Sequence, residues 1–136
     1  MKSRAKGFTL VEALIALLVL SIGMLGIAAL YVETLRASRS ALVRTDAVTL
    51  AADLADRIRA NRAAPANAYT GTGGNARAIA DLTDWNAAIA AQLPGGTGEI
   101  RFRDGTASTP SQYTIRVSWN EIGQATAVTY ELRLEI

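Results

Sequence analysis

The sequence predicts an α+β protein in which one long N-terminal helix precedes a small antiparallel sheet. Positions 13–32 hold twenty consecutive uncharged residues, ALIALLVLSIGMLGIAALYV. At a rise of about 1.5 Å per residue, such a helix spans a hydrocarbon core of roughly 30 Å. In the last third of the chain, three runs alternate apolar and polar residues with a period of two. That alternation is typical of strands that bury one face of a sheet.

The apolar run is predicted to cross a membrane with the N-terminus in the cytoplasm. Lys2, Arg4 and Lys6 precede it, and basic residues beside a span stay on the cytoplasmic side. A buried core helix is one alternative, but the rest of the chain is too small to enclose the run on every side. A secretory signal is another, but its apolar core of about 7–15 residues is shorter. Residues 8–32 are therefore interpreted as the transmembrane half of the helix.

Glu12 is the one acidic residue near the start of this span. An ionised side chain well inside a bilayer costs several kcal/mol, so such residues are candidates for a functional role. The alternative is that Glu12 lies close enough to the cytoplasmic boundary to reach the lipid headgroups. Position alone leaves both interpretations open.

Residues 33–62 are predicted to continue the helix as an amphipathic segment. Its apolar residues recur at steps of three and four, which places them on one face: Val43, Ala47, Leu50, Leu54 and Ile58. Asp53 and Arg57 are four residues apart and should pair on the exposed surface. Gly23 and Gly26 weaken the helix upstream, since a glycine costs about 1 kcal/mol relative to alanine.

Residues 63–136 are predicted to form a head. A loop over 61–80 leads to a short helix over 82–93, which Asp81 or Thr83 would cap and Pro94 would help to end. Trp85 and Trp119 are expected in the core. The strands are expected to turn these apolar residues toward the long helix: Ile100 and Phe102; Tyr113, Ile115, Val117 and Trp119; Val128, Tyr130, Leu132, Leu134 and Ile136.

The composition narrows the functions that are open to the chain. It has no cysteine and no histidine, which removes disulfides, thiolate and imidazole metal ligands, and Ser-His-Asp or Cys-His catalysis. The formal net charge is +2, but without the three basic residues of the first seven, 11 basic residues remain against 12 acidic ones, a net charge of −1. We therefore expect neither nucleic-acid binding nor a metal or cofactor.

Three clusters that resemble sites have simpler explanations. The glycine stretches GTGGN and PGGTG lack the ending of a phosphate-binding loop and are interpreted as turns. Arg57, Arg59 and Arg62 are interpreted as a solvated helix face that pairs with nearby aspartates. Asp81 and Asp84 are interpreted as carboxylates favoured by a helix N-terminus. No catalytic residue is therefore predicted.

The stretch KGFTLVE, residues 6–12, resembles the processing site of type IV prepilins. It has a short basic leader, a Gly-Phe junction and a glutamate four residues after the phenylalanine, followed by the apolar run. The resemblance implies removal of residues 1–7 by cleavage between Gly7 and Phe8 by a prepilin peptidase, with N-methylation of the new Phe8 amine. It also implies that Glu12 pairs with that amine, on its own subunit or on a neighbour.

The remainder of the chain is similar to the minor pilin V family, the type IV pilus modification proteins. The segments LADRIRANR and DLTDWNAAIAAQLPGG and the strand TIRVSWNE carry this resemblance. It implies a pilin-like fold and a non-enzymatic subunit of the inner membrane, with the head in the periplasm, that joins other minor pilins and the major pilin. It further implies a complex that primes pilus assembly and presents a tip adhesin, and hence a role in adhesion and twitching motility.

Two other functions compete with this interpretation. A minor pseudopilin of type II secretion shares the leader and the fold. A membrane-tethered enzyme would have to use Asp, Glu, Ser or Lys, since histidine and cysteine are absent. Asp81, Asp84 and a serine that converge in one cleft would favour it.

Overall fold

The computed structural model describes residues 9–70 and 74–136. It contains helices α1 (Leu10–Ala60) and α2 (Ala76–Gln92), followed by strands β1 (Thr97–Arg103), β2 (Gln112–Trp119) and β3 (Val128–Glu135). The strands form one antiparallel sheet in the order β1-β2-β3. The predicted α+β class, with a long N-terminal helix and a small antiparallel sheet, is confirmed.

The chain divides into two units, Met1–Ser38 and Arg39–Ile136. In its described part, the first unit consists mainly of the beginning of α1, which is helical through Gly23 and Gly26. The second unit holds the rest of α1 together with α2 and the sheet. The head as the structure shows it is therefore the second unit, and it includes the later part of α1.

In the second unit, α1 buries one face because its apolar and small residues recur at steps of three and four. The buried members are Ala47, Leu50, Ala51, Leu54, Ala55 and Ile58. Val43, which the same pattern includes, is only partly buried. The buried side chains of the sheet belong to the same core: Tyr113, Ile115, Val117, Trp119 and Leu134.

The structure differs from the sequence prediction at the start of α2. This helix begins at Ala76 rather than residue 82, and neither Asp81 nor Thr83 caps it. Asn75 is the N-cap, and its Oδ1 accepts a hydrogen bond of 2.9 Å from the backbone N–H of Ala78. The alanines that follow Asn75 have high helix propensity, and Ala78 is completely buried. Residues 71–73 of the predicted loop lie outside the described part of the chain.

Trp85 joins α2 to α1. Its ring is 1% exposed, and its Nε1 donates a hydrogen bond of 2.9 Å to the Leu50 carbonyl oxygen. Trp119, at the end of β2, is 2% exposed. Both tryptophans are core residues, as predicted.

Candidate functional site

Thr9 caps the N-terminal end of α1. Its Oγ1 accepts a hydrogen bond of 3.2 Å from the backbone N–H of Glu12, and its carbonyl oxygen accepts one of 3.2 Å from Ala13. A threonine hydroxyl in this position satisfies a backbone N–H that the helix cannot pair internally. Inside a bilayer, where water cannot supply that bond, the cap is worth more than at a solvated helix end.

Glu12 lies in the first turn of α1, and its side chain is exposed in the single chain. A carboxylate there interacts favourably with the partial positive charge of the helix N-terminus. Gly7 and Phe8, the predicted cleavage and methylation positions, lie outside the described residues. The pairing of Glu12 with the Phe8 amine therefore stays a prediction.

The first part of α1 presents a continuous apolar surface. It contains an 18-residue stretch with a mean hydropathy of 2.7, none of which is buried. The exposed fractions of its large apolar side chains range from 47% at Val32 to 82% at Leu10. The hydroxyl groups of Ser21 and Thr34 donate to backbone carbonyl oxygens one turn earlier, at 2.7 and 2.9 Å. This surface needs an apolar environment, either lipid or other helices.

In the head, Glu121 fastens the β2–β3 loop to α1. Its carboxylate accepts hydrogen bonds from the hydroxyl of Ser40 and from the Arg44 guanidinium, whose Nη2 lies 3.0 Å from Oε2. The Glu121 side chain is only 10% exposed, whereas that of Arg44 is 56% exposed. Bonds from Ser40 and then from Arg44 lower the pKa of Glu121 below its usual value of 4.5.

We expect Glu121→Gln to destabilise the head at pH 7 and to do so less at pH 3. Because folding lowers the pKa of the Glu121 carboxyl, its ionised form stabilises the folded state at pH values above 4.5. This contribution is lost as the pH falls through the lower pKa that the carboxyl has in the folded state. Thermal unfolding of the full chain in detergent micelles at both pH values measures the effect. Arg44→Gln should reproduce it, and the double variant should cost less than the sum of the two. Equal losses at pH 7 and pH 3 would contradict this role.

Two family comparisons match this arrangement. Residues 2–28 match the prokaryotic N-terminal methylation motif. Residues 29–85 match the family described as type IV pilin Tt1218. The two matches are adjacent and run together from the basic leader to Trp85 in α2.

The chain belongs to the type IV pilins. Comparisons with curated proteins and with solved structures found no match. The methylation motif and the exposed apolar helix fit a pilin that is anchored in a membrane and assembles with other pilins.

The aspartates of α2 have different roles in this pilin from those predicted. Asp81 lies within the helix, not at its N-terminus, and accepts a hydrogen bond of 2.7 Å from the Tyr69 hydroxyl. Arg57 reaches the same carboxylate at 3.4 Å, and its Nε lies 2.8 Å from Asp53. Asp84 is exposed. Asp81 therefore holds the α1–α2 loop against both helices.

Burial, together with the bond to Asp81, raises the pKa of Tyr69 to about 12. The hydroxyl of Tyr69 thus remains a hydrogen-bond donor at physiological pH.

The predicted pair of Asp53 and Arg57 is present, and Arg59 pairs with Asp56 at 2.7 Å. Over residues 9–70 and 74–136, no group of three acidic side chains could hold a metal ion.

The contacts of Thr9, Glu121 and Asp81 were not predicted from the sequence. Thr9 carried a signal, since a threonine followed three residues later by a glutamate before an apolar run marks a helix N-terminus. Glu121 and Asp81 carried none. Their partners are 77 and 24 residues away in the chain, and only folding brings them together.

Proposed function

We propose that this chain is a minor pilin of the type IV pilus, in the minor pilin V family. A prepilin peptidase cleaves it between Gly7 and Phe8, and the new Phe8 amine is methylated. The pilin is held in the inner membrane by its N-terminal helix, with the N-terminus in the cytoplasm and the head in the periplasm. It then joins other minor pilins and the major pilin in a complex that primes assembly and presents a tip adhesin.

One observation carries this proposal. The methylation motif over residues 2–28 coincides with the start of a helix that contains an 18-residue apolar stretch, none of which is buried. A signal sequence that is cut off behind its apolar core would leave no such helix on the mature protein. A helix that is kept after cleavage can anchor the subunit in lipid and later pack against other pilins.

The head supports a non-enzymatic role. Two of its polar groups, Glu121 and Asp81, bind arginine, serine and tyrosine side chains that connect the elements of the fold. On the open face of the sheet, Arg116 pairs across the strands with Glu99 and with Glu131. These polar contacts support a rigid subunit that presents surfaces to its neighbours.

The mature N-terminus tests the processing step. The chain is expressed in a bacterium with an active prepilin peptidase, extracted from membranes, and digested for mass spectrometry. The expected N-terminal peptide begins at a monomethylated Phe8. A peptide that still begins at Met1 or Lys2 in the presence of active peptidase would overturn the proposal.

We expect Glu12→Leu to leave membrane insertion intact and to lower incorporation into pili by about tenfold, which corresponds to about 1.4 kcal/mol. The variant removes a charge that a bilayer disfavours, so insertion should not suffer. It also removes the carboxylate that pairs with the Phe8 amine in apolar surroundings, where an unpaired charge is costly. The measurement is the ratio of the chain in sheared pili to the chain in membranes.

Two variants serve as controls for Glu12→Leu. Glu12→Gln keeps the size of the side chain without its charge and should behave like the leucine variant. Glu33→Leu removes a carboxylate that lies after the span and pairs with Arg36 at 3.7 Å on an exposed surface. This control should assemble normally. Equal incorporation of Glu12→Leu and Glu33→Leu would show that the charge at Glu12 is incidental.

Co-purification distinguishes a pilus subunit from a pseudopilin of type II secretion. A tagged chain is cross-linked in cells, and the attached proteins are identified. Pilus minor pilins among the attached proteins would support the proposal. Recovery of secretion-system subunits in their place would support the pseudopilin.

A further inference from the structure

The open face of the sheet carries its charges in rows that run across the three strands. One row pairs Glu99 of β1 with Arg116 of β2 and Glu131 of β3. The neighbouring row places Arg101 of β1 beside a threonine of β2, which in turn pairs with Arg133 of β3. The first row alternates in sign. The second has two positive charges and no negative one.

These five charged side chains form one chain of ion pairs. Arg101 pairs with Glu99 at 2.7 Å, and Glu99 also reaches Arg116 at 3.6 Å. Arg116 pairs with Glu131 at 2.9 Å, and Glu131 also pairs with Arg133 at 3.0 Å. Three arginines therefore share two glutamates, which leaves the network with one excess positive charge.

The two ends of this network, Arg101 and Arg133, face each other across Thr114. Strands lie about 4.8 Å apart, so the Cα atoms of the two arginines are separated by about 10 Å. Each arginine binds its glutamate through Nε, and these bonds do not use its terminal nitrogens. The side chains of Arg101 and Arg133 are 62% and 68% exposed. A depression of about 400 Å³ lies here, with Thr114 among its lining residues.

We propose that this depression, with Thr114 at its floor and Arg101 and Arg133 on its sides, binds the carboxylate of an acidic side chain from a neighbouring pilin subunit. A guanidinium offers parallel N–H donors that match a carboxylate. One carboxylate brings one negative charge, which neutralises the excess and closes the network into a ring of three arginines and three carboxylates.

The two glutamates already in the network show that it suits carboxylates. Hydrogen bonding to Arg101 lowers the pKa of Glu99, and bonding to Arg133 and then Arg116 lowers the pKa of Glu131. A third carboxylate over Thr114 would have an arginine on either side, as Glu99 and Glu131 have. The assignment of this carboxylate to a neighbouring pilin subunit rests on the proposed function, whereas the site itself does not.

A titration tests the site without reference to the pilus. The full chain in zwitterionic micelles is titrated with N-acetylglutamate N-methylamide while NMR follows the Thr114 amide and the Arg101 and Arg133 Nε–H groups. We expect saturable shifts with half-saturation on the order of millimolar. The neutral probe N-acetylglutamine N-methylamide should give none. Inorganic phosphate should bind no more tightly than the carboxylate.

Paired variants separate the site from bulk charge. Arg101→Gln/Arg133→Gln should weaken binding of the glutamate probe roughly tenfold. Arg59→Gln/Arg62→Gln removes the same charge near the end of α1, on either side of its last residue, and should leave binding unchanged. Because Thr114 is only half-buried, Thr114→Val should fold and should weaken binding severalfold. Linear shifts without saturation, equal losses in both double variants, or phosphate binding tenfold tighter than the carboxylate would overturn the site.

A second measurement tests the neighbour as the source of the carboxylate. We expect Arg101→Gln/Arg133→Gln to lower the ratio of the chain in sheared pili to the chain in membranes severalfold relative to Arg59→Gln/Arg62→Gln. Normal incorporation despite lost probe binding would overturn the assignment to a neighbouring subunit. If the unmodified chain itself were absent from pili, the proposed function would fail while the titration would still decide the site.

Discussion

Gly7→Val is expected to abolish maturation of the pilin. A glycine before the scissile bond allows an extended backbone to enter the peptidase cleft without a side chain. A steric penalty of about 2.7 kcal/mol in that cleft would slow cleavage about a hundredfold. Mass spectrometry of the membrane-extracted chain should then find Met1 or Lys2 at the N-terminus, whereas the unmodified chain is expected to begin at a methylated Phe8.

Ala5→Val is the matched control, because it places the same valine side chain in the leader two residues earlier. It should be processed normally. We also expect the uncleaved Gly7→Val chain to stay in the membrane and be absent from sheared pili, since its basic leader would have to enter the apolar helix bundle. Normal processing of Gly7→Val would show that cleavage occurs elsewhere and would remove the proposed role of Phe8.

Gly98→Ala is expected to destabilise the head by about 3 kcal/mol, which lowers its melting temperature by roughly 10–20 °C. Gly98 lies in β1, where a Cβ atom would overlap Cζ3 of Trp85 and would lie 2.6 Å from Cη2 of the same ring. It would also lie 2.9 Å from Cδ1 of Ile89. All of these atoms belong to buried side chains of α2, so the added methyl group forces β1 and α2 apart. Thermal unfolding of the full chain in micelles measures the loss.

A double-mutant cycle with Trp85→Phe shows whether the clash is the cause. Phenylalanine lacks the part of the indole ring that the new methyl group would strike. It also loses the hydrogen bond to Leu50, so the single variant should cost about 2 kcal/mol. In the Gly98→Ala background the same change should cost at least 1 kcal/mol less, which is a favourable coupling of about that size. Additive losses would place the origin of the destabilisation in the backbone of β1.

Much of the fold could be read from local patterns. The span, the buried stripe of α1 and the alternation in β2 each depend on the spacing of apolar residues over a few turns or one strand. In β2 the buried residues are Tyr113, Ile115, Val117 and Trp119, as the alternation predicts. The predicted start of α2 was wrong because the glycines before Asn75 indicated a longer loop. The Asn75 cap and the alanines that follow it are enough to begin the helix.

The functional surfaces divide in the same way. The leader, the Gly7–Phe8 junction and Glu12 form one continuous signal, because the proposed peptidase and the membrane would both act on a contiguous segment. The charged rows on the sheet gave no such signal. Arg101 and Arg133 are 32 residues apart in number, and nothing in the sequence pairs them with Thr114.

By itself, therefore, the sequence determined the long apolar helix, the N-terminal methylation motif and the strand alternation, since each is a property of neighbouring residues. The tertiary structure decided which distant charges meet. Strand pairing put Arg101 and Arg133 on either side of Thr114, and packing of the β2–β3 loop on α1 put Glu121 between Ser40 and Arg44. Register and packing depend on the whole core, so these contacts exist only once the chain has folded.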